Sequence, residues 1–314
     1  MIKCPRNTMS KDERIKSIYS EFEKWISSPE MYELIEITGG KKSDFVSFYD
    51  KFNWMYDYSR CWDFRARMSN GGERWKIEDR DVYEERAIEI INIARRMGLE
   101  DEMVVENQPH YILPLGGARM SNYTRCELTK RIKEQWGNGI KAIVALSGLR
   151  ELNEVEIPFI GTYAPGAKNE FEAISTALES LFNLEKENCM EERYDSENLN
   201  QSWIKREYKT NDEIRFVSLA APSSDASRRA NSFDTFEFFL ESFDINENDN
   251  ILAVTSSIYV PFQTIKFMSL AIENNLNIEF TGGAAGAFNK SSNYCQEIKA
   301  TFDAMKQFMD MYPI

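Results

Sequence analysis

Ile112-Leu113-Pro114-Leu115-Gly116-Gly117-Ala118-Arg119, continuing through Met120-Ser121-Asn122-Tyr123-Thr124-Arg125 into a helical pattern, is the stretch on which the fold turns. A short apolar run that ends in two glycines and opens into a helix is how an α/β sheet makes a ligand crevice. The glycines let backbone come close to a ligand, and the new helix offers its positive end. Arg119, Ser121 and Arg125 supply charge and a hydroxyl for a phosphate or carboxylate. Neither G-x-G-x-x-G nor the P-loop Gly-Lys-Ser/Thr is present. The competing reading is a plain glycine turn after a buried strand.

Around this stretch the pattern alternates. Apolar runs at about 110–115, 142–146, 214–219, 250–254 and 278–283 read as five strands. Helical patterns at about 124–135, 169–184, 233–240, 260–274 and 292–311 lie between and after them. Alternation of this length predicts an α/β fold: a doubly wound, mostly parallel, Rossmann-like sheet of about five strands over 107–314. Residues 185–212, charged and rich in Asn, read as a surface excursion. Residues 1–106 read as a helical N-terminal region, with Ile15, Ile18, Tyr19, Phe22, Trp25 and Ile26 at three- and four-residue spacing. Within it, the stretch 52–68 is dense in aromatics and arginines. It either packs the helical layer onto the sheet, its arginines pairing with local acids, or lines a pocket for a planar ligand or peptide. Asn70-Gly71-Gly72 reads as a helix break.

Composition narrows the function. The 314 residues carry 38 Lys+Arg against 51 Asp+Glu, a formal charge of −13 that repels nucleic acid and anionic membrane surfaces. No apolar run approaches the roughly 20 residues of a membrane span. The N-terminal residues show no signal-peptide pattern, and Cys4, Cys61, Cys126, Cys189 and Cys295 are scattered. The expectation is a cytoplasmic protein with free thiols and a small-molecule partner, of open oligomeric state. One histidine, His110, and no Cys/His cluster predict no metal site.

Ligands of such sheets bind outside the carboxyl ends of the strands. The residues there are Gly116, Gly117, Arg119, Ser121, Arg125, Ser147, Gly148, Ser227, Arg229, Asn231, Thr255, Ser256, Ser257 and Tyr259. Hydroxyls, glycines and arginines suit a sugar or phosphate better than redox chemistry, although they are also ordinary turn and cap residues. His110 precedes the first strand and reads as structural. A general base would then be a carboxylate, with Glu170 and Asp225 the candidates; both also fit as helix-start acids.

On these residues the segment 110–283 resembles the superfamily of the YdcF, SanA and ElyC proteins, known as domain of unknown function 218. Gly116-Gly117-Ala118-Arg119 is similar to that family's Gly-Gly turn, and Ser147-Gly148-Leu149 matches two positions of its second turn. Asn169-Glu170 looks like its helix-start pair, Ser227-Arg228-Arg229-Ala230-Asn231 like its Asn-containing segment, and Val254-Thr255-Ser256-Ser257 like its last strand end. The chain departs from the pattern at Tyr259 and at Phe262 or Gln263, where the family carries His and Arg, and at Leu219 or Ala220, where it often carries an acid. The resemblance implies a nucleotide-like or phosphate-bearing ligand, S-adenosylmethionine first, and a group-transfer reaction. Gly116, Gly117 and Arg119 would then face the charged end, and Ser147, Asn231, Thr255 and Ser256 the polar groups. Two other readings stay open: an interaction module with a vestigial crevice, carried by exposed Trp54, Tyr58 and Trp62, and a hydrolase or transferase using Glu170 or Asp225 as base.

Overall fold

A computed structural model describes residues 2–41, 43–68, 74–210, 213–284 and 289–314. In chain order the elements are α1 (Lys11–Ile26), α2 (Pro29–Ile37), α3 (Phe48–Ser59), α4 (Val82–Glu85), α5 (Ala87–Arg96), β1 (Tyr111–Pro114), α6 (Ser121–Trp136), β2 (Ala142–Ser147), α7 (Ile157–Ile160) and α8 (Glu170–Phe182). They continue with β3 (Cys189–Tyr194), β4 (Trp203–Tyr208), β5 (Arg215–Ala220), α9 (Ser232–Ser242), β6 (Asn250–Ser256), α10 (Val260–Glu273), β7 (Asn277–Gly283) and α11 (Ser291–Met311). Among the described residues no helix is long and apolar enough to cross a membrane.

The chain forms two compact units. One comprises Met1–Val104, Ser256–Asn275 and Ala284–Ile314; the other comprises Val105–Thr255 and Leu276–Gly283. The first unit is helical. A Ser10/Glu13 capping box starts α1, and Ser28 with Pro29 starts α2. Its core is built on α11, whose Ile298, Phe302, Met305 and Phe308 are buried with Ile18, Phe22 and Trp25 of α1. Phe302 meets Trp25 at 5.5 Å and Phe52 at 6.1 Å between ring centroids. The aromatic stretch 52–68 joins this same core. Trp54 stacks on Tyr58 at 5.6 Å, Tyr58 meets the edge of a fully buried Trp62 at 5.4 Å, and Arg60 pairs with Asp57 at 3.1 Å. Packing is therefore what these aromatics do. The expected helix break at Asn70-Gly71-Gly72 lies outside the described residues.

The second unit holds a sheet of strand order β3-β4-β5-β2-β1-β6-β7. Strands β5, β2, β1 and β6 run parallel, while β4 is antiparallel to β5 and β3 antiparallel to β4. All six residues of β2 are buried, as a central parallel strand covered on both faces requires. Ile112, Ile143, Ala145, Leu252 and Val254 pack with Cys126, Leu128 and Ile132 of α6 and with Ile174, Ala177 and Leu178 of α8. Tyr111 faces Phe239 of α9 and the adjoining Phe243, at 5.8 and 6.1 Å.

The fold is α/β, but the expected five-stranded, doubly wound Rossmann-like sheet is corrected to a mixed sheet of seven strands among the described residues. The two additional strands come from the segment read as a surface excursion. In β4, Ile204, Arg206 and Tyr208 alternate inward, and Arg206 is admitted because Glu191 and Glu179 pair with it at 2.8 and 3.4 Å. A buried arginine on an inward position hides a strand from any reading based on polarity. The end of that segment, Asn211-Asp212, lies outside the described residues.

Candidate functional site

The carboxyl end of β1 is pinned from both sides. The Leu115 N–H donates to Val254 O at 3.0 Å and the Gly116 N–H to Leu146 O at 2.6 Å, so the Gly-Gly turn starts between β6 and β2. Both glycines are demanded by close approach. A Cβ on Gly116 would stand 2.1 Å from Glu170 Oε1 and 3.0 Å from Leu146 O, and one on Gly117 would stand 2.8 Å from Ser121 Cβ. Arg125, buried on α6, reaches back to donate to Leu115 O at 2.8 Å and Gly116 O at 2.6 Å. Asn122 Oδ1 accepts the Gly117 N–H at 2.8 Å. Helix α6 begins at Ser121, and Met120 before it provides no side-chain cap; its first turn carries no acid.

Arg119, two residues past the turn, has left-handed backbone with φ +54°. Its guanidinium lies 5.1 Å from the centroid of Phe159 on α7, and its carbonyl accepts the Tyr163 hydroxyl at 3.0 Å. For a non-glycine residue this conformation costs roughly 1–2 kcal/mol, which the surrounding contacts must supply.

Glu170, the first residue of α8, brings a carboxylate to the same turn. Asn169 caps that helix by accepting the Glu172 N–H, and the Glu170 N–H donates to Arg150 O at 2.9 Å. Arg150 Nε donates to Glu170 Oε2 at 2.9 Å, and its two Nη atoms clamp the buried Glu156 carboxylate at 2.7 and 2.9 Å. Glu156 is further held by the Asn153 N–H at 3.1 Å. Burial works against the charge on Arg150, but the two carboxylates outweigh it and raise its pKa. The guanidinium is thus a permanent bridge that fixes Glu170 by one oxygen. The other oxygen, Oε1, is the atom against Gly116. A carboxylate held this way can accept a proton or orient a hydroxyl, next to a helix start suited to an anion.

The structure thus gathers Gly116, Gly117, Arg119, Ser121, Arg125 and Glu170 around one turn, with Ser147 and Gly148 at the end of the adjacent strand. Ser147 is buried and its hydroxyl donates to Leu219 O at 3.3 Å, while Gly148 passes Ala230. By the register of β6 with β1, Thr255 lies beside Leu115, fully buried. Asp225, Ser227, Arg229 and Asn231 occupy the loop after β5. Asp225 accepts the N–H and hydroxyl of Ser227 at 2.9 and 2.8 Å, bonds that lower its pKa. Asn231 caps α9 in a reciprocal box with Asp234, and Arg229 is exposed. Ser256 ends β6; Ser257 donates to Glu100 O at 3.1 Å, and Tyr259 lies under the Arg74 guanidinium at 4.7 Å, both within the helical unit. Arg150, Glu156, Asn122, Phe159 and Tyr163 were not singled out by the sequence. Arg150 had a signal, two residues past Ser147-Gly148; Asn122 had only its place in the first turn of α6.

Comparison with known proteins places the chain elsewhere than the sequence resemblance did. Residues 9–98 match the family described as the Rv3785 N-terminal domain. Over 337 aligned residues the chain is 24% identical to the uncharacterized protein Rv3785 of Mycobacterium tuberculosis, covering 98% of this chain and 94% of the relative. The uncharacterized protein Mb3814 of Mycobacterium bovis matches to the same extent. No solved structure matches. The resemblance to the YdcF, SanA and ElyC superfamily is overturned by these matches. Its motif residues are strand-end chemistry that any α/β sheet shares: glycines at a close approach, a serine bonded to the next strand and an asparagine capping a helix.

Proposed function

We propose that this protein binds a small phosphate- or carboxylate-bearing molecule at the carboxyl ends of β1 and β2, with Glu170 as the residue that takes up or positions a proton. The site follows the Rossmann-type rule that ligands of such sheets lie beyond the strand ends. The observation that carries this reading is the approach of Glu170 Oε1 to the Gly116 backbone, possible because residue 116 has no side chain, while Arg150 holds the other carboxylate oxygen. Arg119 and the start of α6 supply the cationic side of the same turn. S-adenosylmethionine rested on the overturned resemblance and enters only as one member of a broad panel.

The alternative of an interaction module has less to support it: Trp62 is fully buried, while Trp54 and Tyr58 are half-buried and pack against the helical core.

A thermal-shift panel over inorganic phosphate, nucleotides, sugar phosphates, small carboxylic acids and S-adenosylmethionine tests the reading. A ligand at 100 times its Kd adds about 2.7 kcal/mol of stability. We expect stabilisation by at least one anionic class, lost in Arg119→Ala. No stabilisation by any class removes the proposal.

A further inference from the structure

Strand β3 ends the sheet, and all but one of its residues are exposed. An open edge of this length is a template for another strand. The phase of its ladder is fixed by the Lys209 N–H, which donates to Asn188 O at 3.1 Å in a register pairing Cys189 with Tyr208. Antiparallel pairs alternate, so Met190, Glu192 and Tyr194 turn their backbone groups toward β4, while Cys189, Glu191 and Arg193 turn theirs outward.

We propose that this edge pairs with β3 of a second copy of the chain, antiparallel about a two-fold axis through Glu192. In that register Glu191 faces Arg193 of the second copy across a hydrogen-bonded pair, twice over. Met190 and Tyr194, 53% and 55% exposed in the single chain, face one another in the non-hydrogen-bonded pairs, where side chains come closest. Placing the axis at Glu191 instead sets that acid against itself and leaves Arg193 opposite a cysteine. The sequence is thus self-complementary in charge and in apolar contact in one register. Two things work against it: Glu192 meets Glu192 on the axis, like charges that weaken the pairing, and Arg193 and Glu191 must share charges already paired within the chain with Asp195 and Arg206. Six-residue edges also bury less than the roughly 1,000 Å² of a stable interface, so the association is weak and concentration-dependent.

Sedimentation equilibrium of the full chain, run up to the concentrations of an NMR sample, tests this together with amide exchange. We expect a species of twice 36.6 kDa at the upper end, with the Glu191 and Arg193 amides exchanging more slowly as concentration rises. Arg193→Pro removes an N–H that points outward and leaves the ladder to β4 intact. It should abolish the dimer, as should Arg193→Glu, which makes both cross-pairs repulsive and decides the matter if the proline variant folds poorly. Glu192→Gln should tighten the association a few-fold. A chain that stays monomeric at every concentration, or a dimer that survives Arg193→Glu, overturns the proposal.

Discussion

Gly116 shows most clearly what a single position contributes. A turn glycine was legible from its place after an apolar run, but the reason for it was not: the space its Cβ would fill belongs to a carboxylate that the chain delivers from α8. Gly116→Ala should therefore cost about 1–3 kcal/mol, the range for overpacking a filled site. In a Glu170→Ala background the cost should fall by about 1 kcal/mol, leaving the milder approach to Leu146 O, and urea unfolding of the four proteins measures the difference. If the two substitutions add without interaction, Glu170 does not occupy that space. Arg119 illustrates the other side of legibility. Its charge was visible in the sequence, whereas its left-handed backbone and its perch on Phe159 depend on tertiary partners. Arg119→Gly should then be more stable than Arg119→Ala by about 1 kcal/mol, because glycine meets no penalty at that φ.

Among the elements, α9 carries a pH signature. Asp234 sits in its first turn, where burial works to raise the carboxyl pKa but hydrogen bonds from Arg228, Ser224 and Asn231 override it and hold it near about 2, against an ordinary 3.8. A depressed carboxyl pKa contributes stability that is fully present above the unfolded value and is lost as pH falls through the folded one. Asp234→Asn should be less stable than the native chain by about 2 kcal/mol near neutral pH. That gap should close between about pH 4 and 2, as thermal melts across the range would record; a gap that persists unchanged to pH 2 would show that the carboxylate charge is not what caps the helix. The strands divide in a similar way. β2 was legible because every one of its residues is apolar or small and buried. The β3–β4 hairpin was not, because its inward positions include Arg206 and half of its edge strand is charged. Ion pairing to Glu191 and Glu179 lets a strand bury what composition assigns to solvent.

At the scale of the whole molecule, alternation of apolar runs with helical periodicity was enough to read an α/β fold, but not how the chain divides, since Ser256–Asn275 and Ala284–Ile314 belong with Met1–Val104. Periodicity does not say which core a helix joins. The apolar stripe of α11 is as compatible with a sheet as with other helices, and its Phe302 and Phe308 are buried among α1 and α3. The matched family domain, residues 9–98, falls within this helical unit, while the mycobacterial relatives extend over nearly the whole chain. The turn at Gly116-Gly117 belongs to the sheet unit, and the account rests on its being a binding place. Amide NMR of the full chain, titrated with inorganic phosphate and with any compound that stabilises it, tests this most directly. The account predicts that the largest shifts fall on Gly116, Gly117, Ser121 and Glu170 and that they disappear in Arg119→Ala. Shifts confined to the loop 223–231, or shifts at the turn that Arg119→Ala leaves untouched, would contradict it.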